Sequence, residues 1–298
     1  MKKFIIFIFI AVSAFKIYSQ ELNISQYVFY RDGMNPGSFI QDNDINVFVL
    51  YNNEFSGFRH EPRTQIADVS FNVKGHKLGV SVINDNIGFD IAQNVKIRYA
   101  RQFALSEKSF FSFGLSAGGM HNRFESTKMT FENEGDPLSF TDYTYTRLDF
   151  DFGAEIQFEN LFMGLSVTHL GKQAVNPEND SPISHYYAYA QYAINSKNSF
   201  RFFPNVLMRY WKNTYWAEAS VIAFYKNLAW LGIVYTRNHD LSFTTGVRVT
   251  KKVMFGYGFK SNMNSQILRS WGTNSHEIFL NFAINKEVGG IKTPRLVD

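Results

Sequence analysis

Seven histidines, one acidic cluster and two glycine-rich runs are the residues of this chain whose types could carry chemistry. The histidines are His60, His76, His121, His169, His185, His239 and His276. None has the i, i+4 or paired spacing that a metal-binding helix requires. His121, His169 and His185 fall near predicted strand ends, where a barrel hydrolase would set a Ser-His pair at its rim. Rim histidines more commonly serve as polar interface residues. Glu132, Glu134 and Asp136 could offer oxygen ligands to calcium, but they lack a regular ligand loop and read as a solvated acidic loop. Gly118-Gly119 and Gly256-Tyr257-Gly258 have strand context and no helix after them, which excludes a phosphate cradle. Glycine there lets strands bend and pack closely. The chain has no cysteine, so it has no thiol nucleophile, thiolate metal site, disulfide or lipidated cysteine anchor. These residues name no catalytic group, no metal site and no cofactor.

The elements that would position such groups are strands. From Leu148 every second residue is apolar (Leu148, Phe150, Phe152, Ala154, Ile156, Phe158), with Arg147, Asp149, Asp151, Gly153, Glu155 and Gln157 between them. After Glu159-Asn160 the alternation resumes through Leu161, Met163, Leu165 and Val167. Successive side chains point to opposite faces of a strand, so this pattern makes one apolar and one polar face. The spacing predicts fourteen strands: 45-52, 65-73, 76-84, 89-101, 110-120, 145-158, 161-170, 185-194, 199-210, 214-225, 228-236, 241-249, 253-261 and 275-284. No helical period interrupts them. A tilted strand of about ten residues crosses a bilayer.

The first residues read as a secretory leader, 1-19. Lys2 and Lys3 form its charged start, Phe4 to Phe15 its apolar run, and Lys16 to Ser19 a cleavage region before Gln20. Removing Lys2, Lys3 and Lys16 takes the thirty basic residues to twenty-seven, against twenty-six acidic ones. A net charge of +1 gives no electrostatic footing for a nucleic-acid partner.

Two features favour a membrane barrel over stacked soluble sheets. The connections after strands 2, 6, 8, 10 and 12 are short, that after strand 4 is a little longer, and those after strands 1, 5, 7 and 13 are long. Outer-membrane barrels have short periplasmic turns and long outer loops, and an even strand number brings both termini to the periplasm. The connections after strands 3, 9 and 11 are short as well. Tyrosines and tryptophans, among them Tyr186, Tyr210, Trp211, Tyr215, Trp216 and Tyr235, gather near strand ends, the level such side chains prefer at a membrane interface. A charge facing lipid at mid-depth costs about 2–4 kcal/mol. Lys96, Arg98, Asp149, Asp151, Glu155, Glu218 and Arg248 are therefore expected in the lumen. The fold class is all-β, a transmembrane antiparallel up-and-down barrel of about fourteen strands spanning 45-284. Residues 20-44 form an N-terminal segment, in the periplasm or tucked into the barrel as a plug, and 285-298 a periplasmic tail.

Both ends of the mature chain carry a recognisable pattern. Ser25-Gln26-Tyr27-Val28-Phe29, followed by Asn35-Pro36-Gly37, resembles the SQY-x-F…NP-x-x-G opening of the PorP/SprF family. Ser275-His276-Glu277-Ile278-Phe279-Leu280-Asn281-Phe282 looks like that family's closing strand. The chain departs from the family pattern at Tyr30-Arg31-Asp32 and at Gly37-Ser38-Phe39. The resemblance implies a non-enzymatic outer-membrane protein of type IX secretion and gliding motility. It also implies partners: the secretion machinery, and a cognate secreted protein such as an adhesin with a C-terminal sorting domain. Outer-membrane lipid is the expected surrounding. Gln26, Tyr27, Phe29, Asn35 and Pro36 are the candidate partner-binding positions. Two other functions compete, a porin-like or hydrophobic-substrate channel and a barrel enzyme acting at the rim.

Overall fold

The computed structural model describes residues 24–39, 44–129, 142–171, 183–195, 199–237, 240–261 and 274–284. Among them fourteen antiparallel strands follow one another around a ring. They are β1 (Ile45–Asn53), β2 (Arg63–Val73), β3 (His76–Ile87), β4 (Asp90–Ser106), β5 (Ser109–Phe124), β6 (Tyr143–Phe158) and β7 (Leu161–Thr168), then β8 (His185–Tyr192), β9 (Phe200–Trp211), β10 (Thr214–Tyr225), β11 (Ala229–Thr236), β12 (Leu241–Arg248), β13 (Val253–Ser261) and β14 (Asn274–Ile284). Ile194–Asn195 continues β8. Its ladder with β9 lapses opposite Phe203-Pro204, where proline offers no N–H.

β1 pairs with β14 as well as β2, in register from Ile45↔Ile284 to Asn53↔His276, and this seam closes the barrel. Closure leaves no unpaired edge to aggregate. Tight turns fix the register. Lys74-Gly75 and Lys212-Asn213 both have positive φ at their two central residues, the mirror-image turn whose twist suits a hairpin.

The two faces divide as the alternation requires. Val80, Val95, Ile97, Leu115, Leu148, Leu165, Val221, Leu231 and Leu280 are exposed on the outside, in the band that meets lipid. Lys96, Arg98, Asp149, Asp151, Glu155 and Glu218 are buried inside, and Arg248 is half-buried on the same face. β4 and β5 run further than their alternation predicts, to Ser106 and Phe124. The end of β5 pairs beyond the apolar band, with His121 and Arg123 in the outer positions, whereas the end of β4 keeps Phe103 and Leu105 exposed on the outer face. The signal segment, the C-terminal tail, His239 and the cluster Glu132, Glu134 and Asp136 lie outside the described residues. No helix among the described residues is long and apolar enough to cross a membrane.

The packed interior lies in the lumen. Of the two places left open for the N-terminal segment, periplasm or barrel, residues 24–39 occupy the barrel.

Candidate functional site

Residues 24–39 thread the lumen as two single 3-10 turns, Tyr27–Phe29 and Arg31–Gly33, followed by a tight turn at Asn35-Pro36-Gly37. So short a piece has no stability of its own, because helical hydrogen bonding must first repay a costly nucleus. The wall supplies what it lacks, on three sides.

The first side is apolar. Phe29 sits among Trp230, Phe279 and Phe224, with ring centroids at 4.9, 5.1 and 6.2 Å. Tyr30 stacks on Phe48 at 4.7 Å, and Phe48 stacks in turn on Phe279 at 5.2 Å. Ile24, Val28 and Met34 complete this core with Leu50, Phe203, Leu207 and Ile222 from the wall. Full burial of one such side chain contributes about 1.5–3 kcal/mol. Burial also pushes the Tyr27 and Tyr30 phenols well above their ordinary pKa, so both stay neutral.

The second side is charged and balanced. Asp32 meets Lys77 at 2.7 Å and Arg98 at 3.1 Å, and Arg98 also reaches Asp68 at 3.1 Å. The Tyr30 hydroxyl donates to the same Asp68 at 3.1 Å. Arg31 lies 3.6 Å from Glu155, donates to Gln191 and covers the Tyr189 ring at 4.7 Å. Three cations (Arg31, Lys77, Arg98) thus face three carboxylates (Asp32, Asp68, Glu155), the segment giving one of each sign. Pairing is what makes buried charge tolerable. Removing one partner from such a pair costs about 3–5 kcal/mol.

The third side is backbone contact. Asn35 folds its own turn by accepting the Gly37 N–H at 2.8 Å, and Ser38 N–H donates to the Asn35 carbonyl at 3.0 Å. Its amide nitrogen donates to the Ala154 carbonyl and the Tyr189 hydroxyl, both at 2.9 Å. The turn lies on Gly114 and Gly153, which are register partners on β5 and β6. A Cβ on Gly153 would come within 3.0 Å of Pro36 Cδ, and one on Gly114 within 2.7 Å of the Gly37 nitrogen. Two facing glycines therefore make the flat seat that the proline turn needs. Ser112 donates to the Gly37 carbonyl at 2.6 Å, and the Phe39 N–H donates to Glu155 at 3.0 Å. At the other end of the segment, the Ser25 and Gln26 N–H groups both donate to Glu277 at 2.9 Å, and Thr244 donates to the Gln26 side chain at 2.7 Å.

Gln26, Tyr27, Phe29, Asn35 and Pro36 are thus brought together, all buried against the wall. Sequence reasoning missed the wall partners of the segment 24–39, among them Asp68, Lys77, Ser112, Tyr189, Gln191 and Glu277. A signal for some was present, since Asp68, Lys77 and Glu277 sit at lumen-facing positions of predicted strands.

A second polar cluster stands nearer the outer rim. The ligand-capable atoms of Asp149, Asp151 and His169 lie within 4.8 Å of one another. The Lys96 ammonium is already among them, 2.8 Å from Asp149 and 2.7 Å from Asp151. Asn94 donates to Asp149 at 2.9 Å, Ser116 donates to Asp151, and the His169 ring lies 2.7 Å from Asp149. A lysine in this position supplies the charge that a cation would bring.

The three rim histidines do not form one site. His121 is exposed on the outer face, with its ring against Thr146 at 2.8 Å. His169 and His185 face inward with rings 5.9 Å apart, and His185 stacks on Trp211. Ser184 donates to the His169 carbonyl at 3.1 Å rather than to its ring, which is not the geometry of an activated nucleophile.

An apolar belt outside, paired charges inside and a closed ring of strands define a transmembrane barrel of the outer membrane, carrying a segment of its own chain in its lumen. Residues 17–282 match the family described as type IX secretion system membrane protein PorP/SprF, and the chain belongs to that family. Family and fold make it a non-enzymatic barrel in kind, with type IX secretion as its setting. Among solved structures, the CymD monoaromatic hydrocarbon channel is 9% identical with a TM-score of 0.53, over 89% of this chain and 94% of that one. Omp33 of Acinetobacter baumannii is 10% identical with a TM-score of 0.49, over 81% and 98%. The P. putida toluene transporter TodX is 8% identical with a TM-score of 0.47, over 85% and 93%. At these identities the likeness is one of fold. No protein with a curated description matches the chain.

Proposed function

We propose that this barrel assists the export and cell-surface attachment of a cognate secreted protein, such as an adhesin with a C-terminal sorting domain. It does so through protein–protein contacts at its outer loops and with the type IX machinery, with its lumen closed. The observation that carries the reading is the segment 24–39, packed into the barrel and bonded to β2, β3, β5, β6, β8, β12 and β14. A lumen filled in this way supports a rigid platform over a conduit. Gln26, Tyr27, Phe29, Asn35 and Pro36 then serve the partner indirectly, by fixing the barrel that presents the loops.

The test is co-purification from detergent-solubilised outer membranes, combined with surface labelling of the captured protein in cells with and without the barrel. Recovery of one secreted protein, lost from the surface when the barrel is absent, is the expected result. Unchanged display in the deletion strain would refute the role. The rival reading is a channel for small hydrophobic molecules, the activity named for CymD. It predicts growth-dependent uptake of such a compound that disappears with the barrel.

A further inference from the structure

The lipid-facing surface of β8, β9, β10 and β11 is not evenly padded. Ala190, Val206 and Ala219 are register partners on β8, β9 and β10, and all three face outward. Pro204 lies beside them, where the ladder between β8 and β9 lapses. Small side chains flanked by larger ones leave a hollow of about 620 Å³, with Tyr192 and Tyr235 at its sides. It opens on the apolar band, so hydrocarbon is what it meets. Left empty it would forfeit the dispersion contacts of its lining, and an acyl chain restores them.

The rim above the hollow sets the head of the occupant. Tyr186, Tyr210 and Tyr215 are register partners on β8, β9 and β10, exposed in one row. They stand at the end of the barrel opposite Ile45 and Ile284, at the level of the outer headgroups. Arg237 follows β11 and donates its N–H to the Ala217 carbonyl at 2.8 Å. Its guanidinium lies over the Tyr215 ring at 3.6 Å and donates to the Tyr215 carbonyl at 3.2 Å. No carboxylate among the described residues is ion-paired with it. Lys212, in the turn above the same tyrosine row, adds a second positive charge. A guanidinium held on the lipid side calls for an anion, and its fork of donors suits the oxygens of a phosphate.

Arginine and hollow are close enough for one molecule. Arg237 is two residues from Tyr235 along the strand, about 7 Å, a span that a lipid headgroup bridges. We propose that this face binds one phosphorylated glycolipid of the outer leaflet, of the lipid A class, with a phosphate on Arg237 and one acyl chain in the hollow. The exposed tyrosines supply hydroxyl groups at the depth of its sugars. The site lies outside the lumen and holds whichever protein the barrel assists.

The experiment uses full-length protein purified from outer membranes in mild detergent. Native mass spectrometry weighs the lipid it retains, and one lipid A molecule per barrel is expected. After delipidation, bisphosphorylated lipid A should rebind about tenfold more tightly than its dephosphorylated form. Arg237→Gln should abolish that preference. Arg63→Gln, which alters an outer arginine already paired with Glu61 at 3.0 Å, should keep it. Ala219→Phe fills the hollow and should weaken binding of both lipids. Failure of lipid A to rebind, phosphatidylglycerol binding as tightly as lipid A, a preference that survives Arg237→Gln, or an equal loss in Arg63→Gln would each overturn the proposal. Should Ala219→Phe fail to assemble, the two arginine variants, which change only exposed side chains, still decide.

Discussion

The backbone N–H of Gln26 donates to the Glu277 carboxylate at 2.9 Å, across 251 residues of sequence. Gln26 lies in the first family motif and Glu277 in the last strand, so the two stretches that carry the family pattern bind each other inside the barrel. The contact pins the segment beside the seam where β14 meets β1. Replacing Glu277 with alanine leaves the buried Gln26 N–H without an acceptor, at about 1–3 kcal/mol, and the half-buried Ser25 N–H at less. Urea unfolding of Glu277→Ala from vesicles should show a loss of about 3 kcal/mol, with Glu277→Gln retaining part of it. Equal stability of Glu277→Ala and the parent would remove the contact from the account.

The glycine seat makes a sharper comparison. Gly153→Ala should destabilise the barrel by about 1–3 kcal/mol, the usual cost of overpacking. Its new methyl would sit 2.9 Å from Asn35 Cγ and 3.0 Å from Pro36 Cδ. Gly119→Ala, one strand away, meets nothing nearer than the Arg147 carbonyl at 3.9 Å and should be close to neutral. Thermal loss of heat-modifiable migration reads both variants side by side. Equal effects would mean that the turn does not bear on Gly153.

Much of this architecture is legible in the sequence because lipid imposes a strict rule on the outer face. Leu148, Phe150 and Phe152 declare β6 by themselves, and their neighbours Asp149 and Asp151 have only the lumen to enter. Where the rule lapses, so does the reading, as at the end of β5, where His121 and Arg123 take the outer positions. The segment 24–39 is harder still. Its turns have no local periodicity, and its bonds run to Asp68, Glu155, Tyr189 and Glu277, far away in the chain. Asn35-Pro36-Gly37 announces a turn, yet nothing local says that Gly114 and Gly153 face each other to receive it.

The Asp32–Lys77 pair joins segment to wall at 2.7 Å with both side chains nearly inaccessible. Lys77→Met should cost about 3–5 kcal/mol by leaving charge uncompensated. In a double-mutant cycle Asp32→Asn with Lys77→Met should cost less than the two single changes together, by at least about 1 kcal/mol. Strict additivity would place the two side chains apart.

One outer loop carries a pH response. Glu61 accepts the Gly57 N–H at 2.8 Å and hydrogen bonds from Asn53 and Arg63 at 3.0 Å, and these hold its carboxyl below the ordinary value of 4.5. A lowered folded-state pKa means that the contribution is complete above the ordinary value and is lost as pH falls through the folded one. Amide exchange at Gly57 should therefore stay slow down to about pH 4.5 and rise below it. Glu61→Gln should make exchange at that amide faster and independent of pH over the same range, once corrected for intrinsic chemistry. A pH-dependent step persisting in Glu61→Gln would assign the response elsewhere.

The central claim is that residues 24–39 close the lumen, and conductance of the purified full-length protein in planar bilayers measures it most directly. Silence at moderate voltage is the expected result. Steady open-channel current from protein whose segment is intact would contradict it.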